Sequence, residues 1–223
     1  MITVWRVPLN FAHKLPAPRA ECLDDVERRR LRRFADPTQG RRWQLAHIAL
    51  REILGAALGI APAAVEFNRE SSGRTTLAGS RTLHFSLSHA HELALIALGH
   101  THAIGVDLEY RRPVPELAAV LRDVFTQREQ DYVADLDPAE AELALLRGWT
   151  RKEAVVKALG RGIEAMGQVE VTLEATAPTL LALDAAPAPD WSIADLGLHA
   201  PYVGALAVRG RPAHYELRDW TIS

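Results

Sequence analysis

Ile104-Gly105-Val106-Asp107-Leu108-Glu109 is the stretch around which the rest of the chain arranges itself. Its apolar residues alternate, the pattern of a half-buried β-strand. Ile104, Val106 and Leu108 then face a core, while Asp107 and Glu109 share the opposite face, two residues apart. Two carboxylates on one strand face repel each other unless a cation lies between them. Hard oxygen ligands on a rigid strand suit Mg²⁺, which binds one or two protein carboxylates together with phosphate oxygens. On these six residues alone, a solvated acidic face is the simpler account.

The 223 residues, 48% hydrophobic and 24% charged, suffice for one large domain or two small ones with a real core. A net charge of −2 gives no global pull towards nucleic acid or an anionic membrane, and neither is an expected partner. Basic residues are concentrated locally. Five arginines from Arg28 to Arg33 lead up to Phe34, and Arg41, Arg42 and Arg51 follow it. Such a run is either a solvated face or a cradle for a polyanionic ligand. Cys22 is the sole cysteine, which excludes an internal disulfide and a cysteine-based zinc site. No signal-peptide pattern opens the sequence, and no run reaches the roughly 18 apolar residues of a membrane helix. The expectation is a soluble, cytoplasmic protein.

Thr3 to Val7 reads as a first strand, and Asp24 as the cap of a helix carrying the arginines. Asp36 to Gly40 reads as a turn, followed by a mostly buried helix over 41–58 in which Gln44, His47 and Arg51 form one polar stripe. Ala64 to Phe67, Leu83 to Ser88 and Leu93 to Leu98 read as strands. Leu117, Val120, Leu121 and Val124 have helical spacing, and Thr126 with Glu129 forms a capping box before a further helix. Another helix is expected from about Ala139 to Leu159. Ala175 to Pro189 reads as a surface connection, and Trp191 to Trp220 as strands.

The chain echoes itself. Ala57-Leu58-Gly59 followed by Val65-Glu66-Phe67 returns as Ala158-Leu159-Gly160 followed by Val169-Glu170-Val171. His89 before Leu93 to Ala97 returns as His199 before Val203 to Ala207. The shared order implies two similar α+β subdomains packed face to face. We place the first at 1–103, with ligand-binding elements, and the second at 104–223, with the carboxylates.

The second informative stretch is Trp149-Thr150-Arg151-Lys152-Glu153-Ala154-Val155-Val156-Lys157. On a helix Glu153 and Lys157 share a polar face, which alone would be an exposed pair worth a few tenths of a kcal/mol. Together with Gly73-Arg74, Phe85-Ser86-Leu87-Ser88-His89, the Asp107 strand and Gly160-Arg161-Gly162, however, it makes an ordered set. That set resembles the Sfp-type 4′-phosphopantetheinyl transferases, over most of the chain.

The resemblance implies an α+β pseudo-dimer with the active site between its halves, working as a monomer. It implies a holo-carrier-protein synthase. Such an enzyme moves 4′-phosphopantetheine from coenzyme A, with Mg²⁺, to a serine of an apo acyl or peptidyl carrier protein. Adenosine 3′,5′-bisphosphate is released. The pathways that carry such proteins are fatty acid, polyketide and nonribosomal peptide synthesis. Asp107, Glu109 and Glu153 match the metal-binding positions. Glu153 and Lys157 match the catalytic ones. Gly73, Arg74, Ser88, His89, Lys152 and Lys157 match coenzyme A-binding positions, and Arg30 and Arg42 fall at or near others. Trp43 stands where a small or hydroxylated residue is expected. Arg111, Arg112 and Leu117, just beyond the carboxylate strand, are the expected carrier-docking edge. Two other readings stay open. One is a non-catalytic carrier-binding module. The other is a zinc enzyme using His84, His89, His91, His100 and His102, which lie within nineteen residues.

Overall fold

The computed structural model describes residues 1–10, 17–70, 73–80, 82–100, 104–111, 122–210 and 214–221. The helical pattern expected at 117–121 lies outside them.

Four layers follow one another: a long helix, a sheet, a second sheet and a second long helix. The first sheet contains β1 (Ile2–Pro8), β4 (His84–Ala90), β5 (Leu93–Gly99) and the last strand, β12 (Tyr215–Asp219), in the order β12-β1-β5-β4. The second contains β6 (Ile104–Tyr110), β10 (Trp191–Asp195) and β11 (Tyr202–Arg209), in the order β10-β11-β6. Ile2, Val4, Leu95 and Ala97 of the first sheet meet Ile104, Val106, Leu108 and Leu206 of the second in one buried cluster. The outer face of the first sheet, with Ala94, Ile96 and Phe85, packs on helix α3 (Pro37–Leu58). The outer face of the second, with Ala205, Ala207 and Ile193, packs on helix α5 (Pro138–Leu159).

The two long helices are built alike. Each has 22 residues, an Asp cap, a proline in its first turn and a left-handed glycine cap. Asp36 accepts from the Thr38 N–H at 2.7 Å, and Asp137 from Ala139 at 3.0 Å and Glu140 at 3.2 Å. Gly59 and Gly160 end them with φ of 69° each, a conformation that costs a residue with a Cβ. The expected turn at 36–40 is therefore the first turn of α3. Asp-Pro serves there as cap and first helical residue, since proline's missing N–H has no partner in that position anyway.

Each long helix also buries one cation against the helix before it. After a single turn, α1 (Ala17–Ala20), helix α2 (Asp25–Leu31) opens with a capping box from Asp24 to Glu27, and α4 (Gln127–Ala134) opens with one from Thr126 to Glu129. Arg51 of α3 reaches Glu27 at 2.6 Å and also donates to the Val65 carbonyl. Lys152 of α5 reaches Glu129 at 2.7 Å and also donates to the Val169 carbonyl. The smaller strands β2 (Phe67–Arg69) and β3 (Thr75–Leu77) follow α3, and β7 (Val169–Val171), β8 (Leu180–Leu183) and β9 (Ala186–Pro187) follow α5. The strand expected at 64–67 begins only at Phe67, because Pro62–Ala64 forms a 3₁₀ turn. The connection expected at 175–189 holds β8 and β9, two strands hidden by an Ala- and Pro-rich composition.

β6 is buried on both faces. Its inner residues fill the space between the sheets, and its outer face lies under α5. A Cβ added at Gly105 would sit 1.9 Å from the Ala154 carbonyl oxygen and 2.7 Å from the Ala158 nitrogen. No rotamer relieves a clash with backbone, so glycine here sets how closely helix and strand approach. Gly105→Ala is expected to destabilise the fold by about 3 kcal/mol or more, read as a lower midpoint of urea unfolding.

Candidate active site

The outer face of β6 carries Asp107 beneath α5. Asp107 is 2% exposed, so the solvated-face account of the hexapeptide fails. Its Oδ1 accepts from the Lys157 ammonium at 2.7 Å and from the Ser88 hydroxyl at 2.8 Å. Its Oδ2 is buried and finds no hydrogen-bond partner among the described residues. A buried carboxylate oxygen left in this way is costly unless something else satisfies it.

Helix α5 brings Glu153 to the same place. Its Oε2 accepts from the Trp149 indole at 3.1 Å, and Lys157 stands 3.1 Å from its Oε1. Asp107, Glu109 and Glu153 each offer one oxygen, all within 4.8 Å of one another. Burial raises the Glu153 pKa and the charge of Asp107 raises it further; Lys157 and the Trp149 hydrogen bond only partly oppose them. For Lys157, burial works against the ammonium, but Asp107 and Glu153 outweigh it and hold the pKa above its ordinary value.

Ser88 and Ser86 join the two sheets at this point. Ser88 accepts from Lys157 at 3.0 Å while donating to Asp107. Ser86 accepts the Val106 N–H at 3.0 Å and so satisfies the free edge of β6. Ser88, expected to bind coenzyme A, is thus buried and braces Asp107.

A cavity of about 610 Å³ opens beside the carboxylates, with Lys157 in its wall. Of the residues expected to bind ligand, Arg30, Gly73, Arg74 and His89 line it. Gly73 turns there with φ of 87°. Arg74 reaches across from the first half to donate to the Ala158 carbonyl at 3.2 Å, tying the cavity wall to α5. His89 opens into the cavity, yet the protein crowded around it desolvates the ring, and His47, Lys157 and Arg30 add positive charge. Its pKa is lowered as a result. Trp43 is buried, with the Arg30 guanidinium 5.4 Å above its ring and His47 stacked at 3.9 Å. His47, Arg69 and Arg161 also line the cavity and were not among the expected residues. For His47 the signal was present, as part of a polar stripe on an otherwise buried helix.

Two expected ligand residues lie elsewhere. Lys152 is fully buried on the far side of α5, where it pairs with Glu129 and donates to the Met166 and Val169 carbonyls. It cannot reach a ligand in the cavity, because one residue's step along a helix turns the side chain by about 100°. Arg42 is not part of the cavity lining and pairs with Glu92 at 3.2 Å. Of the expected docking edge, Arg111 pairs with Glu142 at 3.3 Å, and Arg112 and Leu117 lie outside the described residues. Among the described residues, the carboxylate trio is the group of metal-ligating side chains that converges. His84, His89, His91 and His100 do not take part in such a group.

Sequence comparison agrees with this geometry. Residues 103–207 match the family model of the 4′-phosphopantetheinyl transferase superfamily. The 4′-phosphopantetheinyl transferase HetI of Nostoc sp. (strain PCC 7120) is 37% identical over 213 residues, covering 94% of this chain and 88% of that protein. The AcpT transferase of Salmonella typhimurium is 29% identical over 140 residues, covering 63% and 71%. A putative 4′-phosphopantetheinyl transferase of Synechocystis sp. is 29% identical over 143 residues, covering 63% and 58%. The chain belongs to the 4′-phosphopantetheinyl transferase superfamily and is an α+β enzyme of that class. No helix among its described residues is long and apolar enough to cross a membrane.

The placement of Lys152 has a measurable consequence. Lys152→Ala leaves Glu129 charged and buried, and is expected to cost about 3–5 kcal/mol of folding stability. The KM for coenzyme A of the protein that remains folded should be unchanged. Normal stability with a raised KM would return Lys152 to the ligand site.

Proposed function

We propose that this chain transfers the 4′-phosphopantetheine arm of coenzyme A to a serine of an apo acyl or peptidyl carrier protein and releases adenosine 3′,5′-bisphosphate. The observation that carries the reading is the meeting of a carboxylate trio and a basic cavity at one lysine, Lys157.

Asp107, Glu109 and Glu153 fit a Mg²⁺ ion. They are hard oxygen donors within 4.8 Å of one another, and Asp107 Oδ2 is buried without a protein partner among the described residues. Bound there, Mg²⁺ would neutralise charge on the pyrophosphate of coenzyme A. The remaining roles belong to the chain. Arg30, Arg74 and His89 hold phosphate groups by charge-assisted hydrogen bonds, and the Gly73 turn lets backbone approach the ligand. Lys157 neutralises the phosphate in transit. Glu153, held by the Trp149 indole and Lys157, accepts the proton of the incoming serine. Positioning and charge neutralisation then supply most of the catalysis, as is usual for phosphoryl transfer.

The repeated strand order, the matched long helices and the matched buried ion pairs support two subdomains, 1–103 and 104–223, arranged as an internal pseudo-dimer with the site between them. We read the protein as a monomer on that basis, and as cytoplasmic because the coenzyme A and carrier proteins proposed as its substrates would be met there. Arg111, which follows β6, together with Arg112 and Leu117 beyond it in the sequence, is the proposed carrier-docking edge, because Arg111 lies two residues after Glu109.

The test is incubation with coenzyme A, Mg²⁺ and a panel of apo-carrier proteins, followed by mass spectrometry. One or more carriers should gain phosphopantetheine, and Asp107→Ala or Glu153→Ala should abolish the gain while leaving the circular dichroism spectrum unchanged. Near-normal transfer by either variant would refute the assignment of these carboxylates.

A further inference from the structure

Arg30, in the last turn of α2, lines the cavity that we assign to coenzyme A, and its role towards that ligand depends on that assignment. Its guanidinium carbon lies 5.4 Å from the centre of the Trp43 ring, which lines the same cavity from α3. Among the described residues Arg30 makes no ion pair or hydrogen bond. Other arginines nearby are held by oxygen acceptors. Arg28, on the same helix, pairs with Asp25 at 3.2 Å. In the cavity wall, Arg161 pairs with Asp184 at 2.9 Å, and Arg74 donates to the Ala158 carbonyl at 3.2 Å.

The ring that meets Arg30 is itself fixed. Trp43 is buried on α3, packs against Phe34 with 5.8 Å between ring centres, and stacks on His47 at 3.9 Å. His47 Nδ1 lies 2.8 Å from Glu27 Oε1, and Glu27 Oε2 accepts from the buried Arg51 at 2.6 Å. Contacts thus run from the ion pair that pins α3 to α2, through an imidazole and an indole, to a cation in the cavity wall. An arginine on a helix surface otherwise samples many rotamers, and a ligand that fixes it must offset the lost freedom. A ring attracts the cation and offers no carboxylate, so the guanidinium can turn its N–H donors to a phosphate without first breaking an ion pair.

We propose that Trp43 is a positioning residue for phosphate binding: its indole holds the Arg30 guanidinium in the cavity wall, so that a phosphate group of coenzyme A meets a cation already in place. The indole acts through Arg30, and Arg30 makes the contact. Removing the ring should therefore cost affinity only while the arginine is there to be held. A purely structural role for Trp43 would cost as much affinity without Arg30 as with it.

A double-mutant cycle separates the two, read as the dissociation constant for coenzyme A in calorimetric titration of the full chain. Arg30→Gln should weaken coenzyme A roughly ten-fold or more. Trp43→Leu should weaken it roughly three- to ten-fold when Arg30 is present and leave it nearly unchanged in Arg30→Gln. Trp43→Phe, which keeps a smaller ring, should lose about two-fold, again only while Arg30 is present. That variant carries the cycle should Trp43→Leu not fold, as judged by its thermal unfolding midpoint. No loss from Arg30→Gln, no loss from either ring substitution, or equal losses with and without Arg30 would overturn the inference and leave the assignment of the cavity standing. A wild-type protein that binds no coenzyme A would overturn both.

Discussion

The contact on which the rest depends is the seating of α5 on β6 at Gly105. Backbone meets backbone there, with the Ala154 carbonyl and the Ala158 nitrogen in the space a Cβ would fill. Glu153 and Lys157 lie on the same helix, one residue before Ala154 and Ala158 respectively. Gly105 is two residues before Asp107 on the same strand face. The approach that excludes a side chain at 105 therefore also fixes the distance between the strand carboxylates and the helix pair. A looser fit would separate Asp107 from Lys157 and Glu153. Function and packing are set by one glycine.

The acidic cluster is costly to bury, and the fold offsets that cost from both sides of the joint between the sheets. Ser88 donates to Asp107 from β4, and Lys157 donates to the same oxygen from α5. The other buried charges are structural. Arg51 with Glu27 and Lys152 with Glu129 pin each long helix to the short helix before it and to the backbone beyond. Truncating one partner of such a pair leaves the other charged and buried, which is why each stays matched. The first of these pins also reaches the cavity, because the carboxylate that holds Arg51 orients His47.

Much of this was legible in the sequence, and for identifiable reasons. The β6 alternation and the Thr126 capping box are local patterns, and local patterns survive folding. The burial of Asp107 was not legible, because strict alternation describes a strand with one wet face and says nothing of a helix laid over it. Lys152 was misplaced because Lys152, Glu153 and Lys157 look alike as charged residues on one helix, and only the packing separates the buried lysine from the cavity lysine. Arg42, in the arginine run, likewise makes an ion pair, with Glu92, outside the cavity lining. Asp36-Pro37 reads equally as a turn or a helix start, and the long helix beyond decides it. His47 was seen on its polar stripe but had no assigned role, since its partner Glu27 lies in a separate helix. Two of the three proposed docking residues lie outside the described residues.

The central claim is that Asp107, Glu109 and Glu153 form one divalent-cation site shared with coenzyme A. Mn²⁺ tests it most directly, because its electron paramagnetic resonance signal reports binding without requiring turnover. One Mn²⁺ per chain should bind, more tightly once coenzyme A is added, and Asp107→Asn should remove that site while leaving the fold unchanged. Mn²⁺ binding that persists in Asp107→Asn, or that coenzyme A does not strengthen in the wild-type protein, would contradict it.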